Sequence, residues 1–398
     1  MQPSWPQVLA LGVAQTVAWA SSTYLPAVLA QPLARELGFS PALVFAAFSG
    51  ALLLMALCAP GIGRHIDRHG GQRVLCLGSL FLAAGLGLLG IAGGLPGVVA
   101  AWALIGVGMA CGLYDAAFAA LVREHGVVAR RPITGITLLG GFASTVGWPL
   151  TAWLIAHWDW RMACFAWAAL NLLLALPLNF LFVPSAHSLA AKQASGQGTT
   201  ARGDGIGARM TGGRREFVAL LVFGSATAFV TSAMAAHLPA LLLAVGLPVA
   251  TAIGAAALVG PAQVAARLGE FFAAHRFRTD PLNTARLATA LHPLGGIVML
   301  AFGGPGGAAA FALLHGGGNG MITIAKGTLP LYLFGAVGYG ALQGRLAAAQ
   351  RLVQAAAPYL FALLLQTGGA TLGLALSVTM SMLALGALFF LKTRACSQ

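Results

Sequence analysis

Charge is the scarcest thing in this sequence. Only 8% of its 398 residues are charged and just 9 are acidic, where a soluble domain carries roughly 25% charged residues. A chain so poor in charge cannot cover its own surface for water, which excludes an ordinary soluble enzyme or binding domain. Catalytic signatures are missing as well: no Walker loop, no HExxH, no GxSxG, and no polar stretch long enough for a soluble catalytic domain. The expectation is a protein that is not an enzyme and takes no cofactor. Cysteine is sparse, and Cys58, Cys76, Cys111, Cys164 and Cys396 show no CxxC or other metal spacing. They read as small buried hydrophobes, with a soft-metal or metalloid role as the alternative, and no resident metal is expected. No cleavable signal peptide is evident; the first apolar run reads as a helix that stays.

What the sequence has is apolar length: 59% of it is hydrophobic. Runs of the ~20 residues that a spanning helix needs fall at 8–30, 42–62, 74–94, 97–122, 133–156, 162–183, 217–244, 249–273, 287–304, 307–329, 342–366 and 370–391. The net charge of +13 does not form a nucleic-acid patch, because the basic residues sit in short clusters between these runs. Alternate loops and their edges hold Arg64, Arg68 and Arg73; Arg123, Arg130 and Arg131; Lys192, Arg202, Arg209, Arg214 and Arg215; Arg276, Arg278 and Arg286; Lys326 and Arg345; and the tail Lys392 and Arg394. The intervening loops hold only Arg35 and Arg161, while Arg267 and Arg351 lie inside runs. That asymmetry places both termini on the cytoplasmic side. Residues 184–216, rich in Gly, Ser, Thr and charge, read as a flexible cytoplasmic linker between two six-helix halves, 1–183 and 217–398.

The halves echo each other. Arg64 and Asp67 near the end of the second run are matched, at the same spacing, by Arg267 and Glu270 near the end of the eighth. Tyr24-Leu25-Pro26 is matched by His237-Leu238-Pro239, and Pro149 loosely by Pro358. A parallel repeat of this kind puts a substrate site near the membrane midplane. The loop Gly63-Arg64-His65-Ile66-Asp67-Arg68-His69-Gly70-Gly71-Gln72-Arg73 resembles the signature loop of the major facilitator superfamily, in which Gly-x-x-x-Asp-Arg/Lys-x-Gly precedes two basic residues. Gly63, Asp67, Arg68, Gly70 and Arg73 match in type; Gly71 and Gln72 stand where basic residues are usual, and Arg73 comes one place late. The resemblance implies an all-α membrane fold of two six-helix bundles, alternating access by rocking of the bundles, a gating role for the loop, and membership of its charge network for Glu124. The run Gly140–Pro149 matches the helix-five pattern of the family's drug antiporters only in part. The arginine that many members carry in helix four is absent from Trp102–Gly108.

Physical chemistry supplies candidates independently. Asp67 can meet a helix N-terminus or a nearby arginine, and Gly63 and Gly70 allow close turns. An acid within a span is costly and usually functional. Asp115, beside Tyr114, lies nine residues before Glu124, hence ~13 Å from it, and is the candidate proton carrier; a permanently paired structural acid is the alternative. Arg351, with Gln354 able to share its face, suits an anionic solute and is a candidate partner of Asp115, or else it snorkels. His315 and Asn319 share a face among Gly316, Gly317, Gly318 and Gly320, which implies a bend, close packing or a cavity wall. His237, and more weakly Gln15, Thr23 and Tyr24, are possible solute contacts; His292 reads as structural. Arg267 and Glu270 read as the second half's gate.

The reading is a monomeric secondary transporter of a bacterial inner membrane, lipid-embedded, moving a small molecule with protons as the coupling ion. Export by antiport of a metabolite, drug or metalloid leads. Proton-coupled import of a small organic anion and a transporter-like solute sensor are the alternatives.

Overall fold

The computed structural model describes residues 5–185, 213–277 and 280–391. The linker residues Lys192, Arg202 and Arg209, the tail residues Lys392, Arg394 and Cys396, and Arg278 lie outside them, as does the side chain of Arg276. Every regular element among the described residues is helical: α1 (Trp5–Ala20), α2 (Pro26–Leu37), α3 (Pro41–His69), α4 (Gln72–Gly90), α5 (Leu95–Gly112), α6 (Tyr114–His125), α7 (Arg130–Gly140), α8 (Ala143–His157), α9 (Trp160–Leu170), α10 (Leu176–Phe182), α11 (Arg214–Ala244), α12 (Val249–Ala257), α13 (Val259–Phe277), α14 (Pro281–Phe302), α15 (Gly304–Phe334) and α16 (Tyr339–Phe389).

Local signals start several of these helices. Ser40 and Asp280 each cap a helix whose next residue is proline, and their side chains accept the N–H of Ala42 and Leu282 at 3.2 and 2.8 Å. Asp159 accepts the Met162 N–H at 2.7 Å and starts α9 in the same way. Beside it Arg161 pairs with Glu36 at 3.0 Å and donates to the carbonyls of Gly90 and Ala92. One guanidinium thereby ties α2, α4 and α9 together at one end.

Among the described residues eight helical stretches are long and apolar enough to cross a membrane. Two of them, Leu95–His157 at 63 residues and Tyr339–Phe389 at 51, are each long enough for two crossings at ~20 residues apiece. The first expected span is split, because the chain turns at 21–25 and leaves α1 only 16 residues. The tenth, α15, carries His315, Asn319 and several glycines that dilute its apolar run. Large apolar side chains face outward along these helices, among them Leu57 at 76%, Leu173 at 79% and Phe302 at 81% exposure. Outward apolar faces of this kind are solvated by lipid.

The expected spans prove less continuous than their apolar runs. The run 97–122 breaks at Leu113, whose backbone is extended (φ −86°, ψ −176°), into α5 and α6. The run 133–156 breaks at 141–142 into α7 and α8, and 162–183 passes through a π-helical turn at Asn171–Ala175. The last two expected spans join as α16, bent at Gly369, whose φ of +69° suits glycine.

The chain forms two compact units. Unit 1 comprises Met1–Thr211 with Phe334–Ala348; unit 2 comprises Gly212–Leu333 with Ala349–Gln398. The first turns of α16 thus belong with unit 1 although the chain on either side belongs to unit 2.

Candidate functional site

Within unit 1 the signature loop is built on glycine. A Cβ on Gly63 would overlap the Gly340 carbonyl, and one on Gly340 would lie 2.5 Å from the Gly63 oxygen. One turn along, Gly344 approaches Ala59 as closely. α3 therefore meets residues 340–344 backbone to backbone, the geometry that small-x-x-x-small spacing permits between membrane helices. The approach brings Asp67 onto the first turn of α16, where Oδ1 accepts the Gly340 N–H at 2.8 Å and Oδ2 the Ala341 N–H at 2.7 Å. A carboxylate at a helix N-terminus satisfies amides that have no intrahelical partner and meets the positive end of the dipole. Gly70 is buried in the turn that ends α3; Arg64, Arg68 and Arg73 are exposed.

The second acid of unit 1 also reaches this segment. The break at Leu113 leaves Asp115 in the first turn of α6, and its Oδ1 accepts from Gln343 Nε2 at 3.1 Å. Asp67 and Asp115 thus both hold residues 340–343. Glu124, at the other end of α6, accepts from Gln7 Nε2 at 2.5 Å and lies 3.6 Å from His125 Nε2, which bonds Gln7 Oε1 at 2.9 Å. That cluster ties the start of α1 to the ends of α6 and α10, since Gln7 also donates to the Phe182 carbonyl.

Three helix interruptions of unit 1 are each tied to α1 or to the turn that follows it. At Leu113 the Ala116 N–H turns to the Leu113 carbonyl, and the buried Gln15 of α1 donates Nε2 to the Gly112 oxygen at 2.6 Å. Thr16 donates to the Leu139 carbonyl beside the α7–α8 break at 3.0 Å, and the Tyr114 hydroxyl packs on Gly140. Asn171 of the π turn donates to Ser21, in the turn after α1, at 3.0 Å. Irregular backbone at membrane depth survives only where side chains satisfy it, and it clusters at functional sites.

Aromatic rings stand beside the break at Leu113 and the turn after α1. Trp19 stands 5.0 Å from Tyr114 and 6.3 Å from Tyr24, and Tyr24 meets Trp148 edge-on at 5.7 Å. Trp148 Nε1 donates to the Tyr24 carbonyl at 3.1 Å. Among the described residues, three buried polar atoms here lack a protein partner: Gln15 Oε1, Trp19 Nε1 and Thr23 Oγ1. In a low-dielectric interior each costs on the order of 1–3 kcal/mol until water or a solute satisfies it.

Unit 2 has its own polar face. Asn319 Oδ1 of α15 accepts from Thr231 of α11 at 3.1 Å. Pro358 has no N–H for the Gln354 carbonyl, and Ser232 Oγ donates to that carbonyl instead, at 2.9 Å. His237 Nε2 bonds the Pro358 carbonyl at 2.8 Å. Arg351, half-buried, donates to Gln354 Oε1 at 2.6 Å.

His315 and Asn319 part company despite their spacing. His315 is buried, stacked 4.6 Å from His292 of α14 and 5.7 Å from Phe311, whereas Asn319 faces α11. The surrounding glycines serve close packing: a Cβ on Gly316 or Gly320 would stand 2.5 Å from the carbonyls of Val259 or Gln263 in α13. Arg267, buried, donates to the Gly320 carbonyl and to Thr323 at 3.3 and 3.5 Å, and Glu270 is buried on the same helix.

Sequence reasoning missed Gln343, Gly340, Gly344, Trp19 and Trp148. Gly340-Ala-Leu-Gln-Gly344 does spell small-x-x-x-small; the others carry no local signal. Among the described residues no group of three or more His, Cys, Asp or Glu could hold a metal ion.

A membrane chain of paired helical units, with interrupted spans and polar groups gathered at the interruptions, has the build of a carrier for small solutes. The sequence profile of the major facilitator superfamily matches residues 11–358, and the chain belongs to that superfamily. It is a transporter and not an enzyme. A gallate transporter of Pseudomonas putida is 31% identical over 193 residues, a match covering 47% of this chain and 42% of that relative. Two solved structures share the fold. The human organic anion transporter MFSD10 (TETRAN) has a TM-score of 0.72 at 16% identity, covering 98% of this chain and 100% of its own. A bacterial homologue of the iron transporter ferroportin, in an outward-facing state, has a TM-score of 0.74 at 18% identity, covering 96% of this chain and 98% of its own.

Proposed function

We propose that the solute is a small organic anion built on a hydroxylated aromatic ring, moved by alternating access of the bundles 1–183 and 217–398 in a bacterial inner membrane, by a monomer with both termini cytoplasmic. The observation that carries this reading is the set of unpartnered buried atoms, Gln15 Oε1, Trp19 Nε1 and Thr23 Oγ1, beside the rings of Trp19, Tyr24 and Tyr114 in unit 1. Ring faces stack on rings, a carbonyl oxygen accepts a phenolic O–H, and an indole N–H donates to a phenolic oxygen. The gallate transporter is similar over part of the chain, and gallate is such a molecule.

An anion entering a cell works against a membrane potential worth ~2.3 kcal/mol per charge per 100 mV. Protons carried with it remove that opposition, so symport is the direction proposed, with Asp115 the proton carrier and Asp67 the gating acid. Arg351 of unit 2 is a separate candidate for carboxylate recognition.

The test is uptake into proteoliposomes holding a pH dye, with hydroxybenzoates, unsubstituted benzoate and aliphatic carboxylates compared. Trp19→Phe keeps a ring and removes the N–H; it is expected to raise KM for hydroxybenzoates about tenfold, one lost hydrogen bond, and to leave benzoate unchanged. Asp115→Asn is expected to abolish proton entry. Equal transport of all three solute classes by the parent and by Trp19→Phe refutes the ring reading.

A further inference from the structure

A groove of about 800 Å³ lies in unit 2 between the start of α11 and the end of α16. Its wall is apolar, formed by residues such as Val222, Leu383, Gly386 and Phe390. Leu383 and Phe390 are 50% and 64% exposed, so the wall faces outward to lipid. Its one charged end is doubly cationic: Arg214 and Arg215 both line it, and the Arg215 guanidinium sits 5.8 Å from the Phe390 ring centroid.

Among the described residues, the neighbouring groups leave that cationic end open to an anion. Glu216, the nearest acid in sequence, is folded back to accept the Gly213 N–H at 2.8 Å. The carbonyls of Leu388 and Leu391 at the end of α16 are engaged by Arg286, at 2.8–3.3 Å. The start of α11 adds the positive end of a helix dipole. Among the described residues neither Arg214 nor Arg215 makes an ion pair. An apolar slot with two guanidiniums at its mouth, at the edge of a span, complements one kind of molecule: an acyl chain joined to a phosphate.

We propose that this groove is a selective site for an anionic phospholipid, with its phosphate on Arg214 and Arg215 and an acyl chain along Leu383, Gly386 and Phe390. Each interfacial arginine contributes modestly on its own, and two together give an expected preference of roughly tenfold over a zwitterionic lipid of the same chains.

The full chain in neutral detergent is titrated with phosphatidylglycerol and phosphatidylcholine of identical acyl chains, and bound lipid is counted by native mass spectrometry. Phosphatidylglycerol is expected to bind about tenfold more tightly, and Arg214→Gln with Arg215→Gln to remove that preference while both lipids still bind. Among the described residues a Cβ at Gly386 meets nothing within 4 Å, so Gly386→Leu is expected to fill the slot and weaken both lipids, with the melting temperature unchanged. Equal binding of the two lipids by the parent chain overturns the proposal. Full competition by glycerol phosphate at the lipid's own concentration also overturns it, because the site would then be one for a soluble anion. A photoreactive phenylalanine at Leu383 that crosslinks to protein, whether a second copy or this chain's own residues, overturns it in favour of a protein occupant; a crosslink to lipid supports it.

Discussion

Replacing Asp67 by asparagine keeps the shape of the side chain and changes its chemistry where it touches α16. The carboxylate accepts two amides, Gly340 N–H at 2.8 Å and Ala341 N–H at 2.7 Å. The asparagine carbonyl can keep one of them, but its NH₂ would then face the other amide donor to donor. A hydrogen bond to a charged group contributes ~1.5–3 kcal/mol, and the helix N-terminus adds ~0.3–1 kcal/mol for the negative charge. The expected loss is ~2–4 kcal/mol from the docking of residues 340–341, a factor of roughly 30 to 1,000 in the docked-to-released ratio. Hydrogen exchange of the peptide spanning 334–348, read by mass spectrometry in nanodiscs, measures it directly: the protected amides of Gly340 and Ala341 should exchange faster by that factor. Arg68→Gln, at an exposed position in the same loop, should leave the peptide unchanged. If Asp67→Asn leaves the exchange of Gly340 and Ala341 unaltered, the carboxylate is not what holds the segment and the reasoning fails.

The remaining predictions rest on single contacts. Ser232→Ala should leave the Gln354 carbonyl unpaired opposite Pro358 and lower stability by about 0.5–2 kcal/mol; in a Pro358→Ala background, where a backbone N–H returns, thermal unfolding should show the same change to be nearly neutral. Gly320→Leu must push α13 away from α15, since even a Cβ there stands 2.5 Å from the Gln263 carbonyl, and a drop in melting temperature or yield is expected, unlike Gly254→Leu, where nothing lies within 4 Å. Gln15→Leu should unpair the Gly112 carbonyl and weaken solute binding; if isothermal titration with a hydroxybenzoate shows unchanged affinity, Gln15 does not serve the site.

The sequence was most legible where one property repeated over many residues. Apolar runs of spanning length located the helices, and Gly63, Asp67 and Gly70 located the loop that α3 presents to α16. The interruptions were not legible, for a physical reason. Leu113 sits in a run with no proline, and the backbone departs from helix there because Gln15, nearly a hundred residues earlier, donates to the Gly112 carbonyl. Helical spacing also misled at His315 and Asn319. Four residues turn 40° past one full turn, enough for one side chain to meet α14 and the other α11. Asp115 was found because a carboxylate in a span is conspicuous; its partner Gln343 was not, because a glutamine at a helix start is ordinary and the contact joins residues 228 apart in the chain.

The membership of Phe334–Ala348 in unit 1 bears on attempts to divide this protein. Cutting the gene at the linker and producing the halves separately would give a C-terminal fragment whose Gly340 and Gly344 present a bare backbone notch, with two amides deprived of their acceptor. The N-terminal fragment would carry Asp67 without the two amides it accepts from. Neither fragment is a finished folding unit, and each contains the sticky complement of the other. Coexpressed halves should therefore reassemble, whereas either half alone is a candidate for capture by chaperones and proteases. The boundary along which the chain can be cut and the boundary along which it is built are different lines.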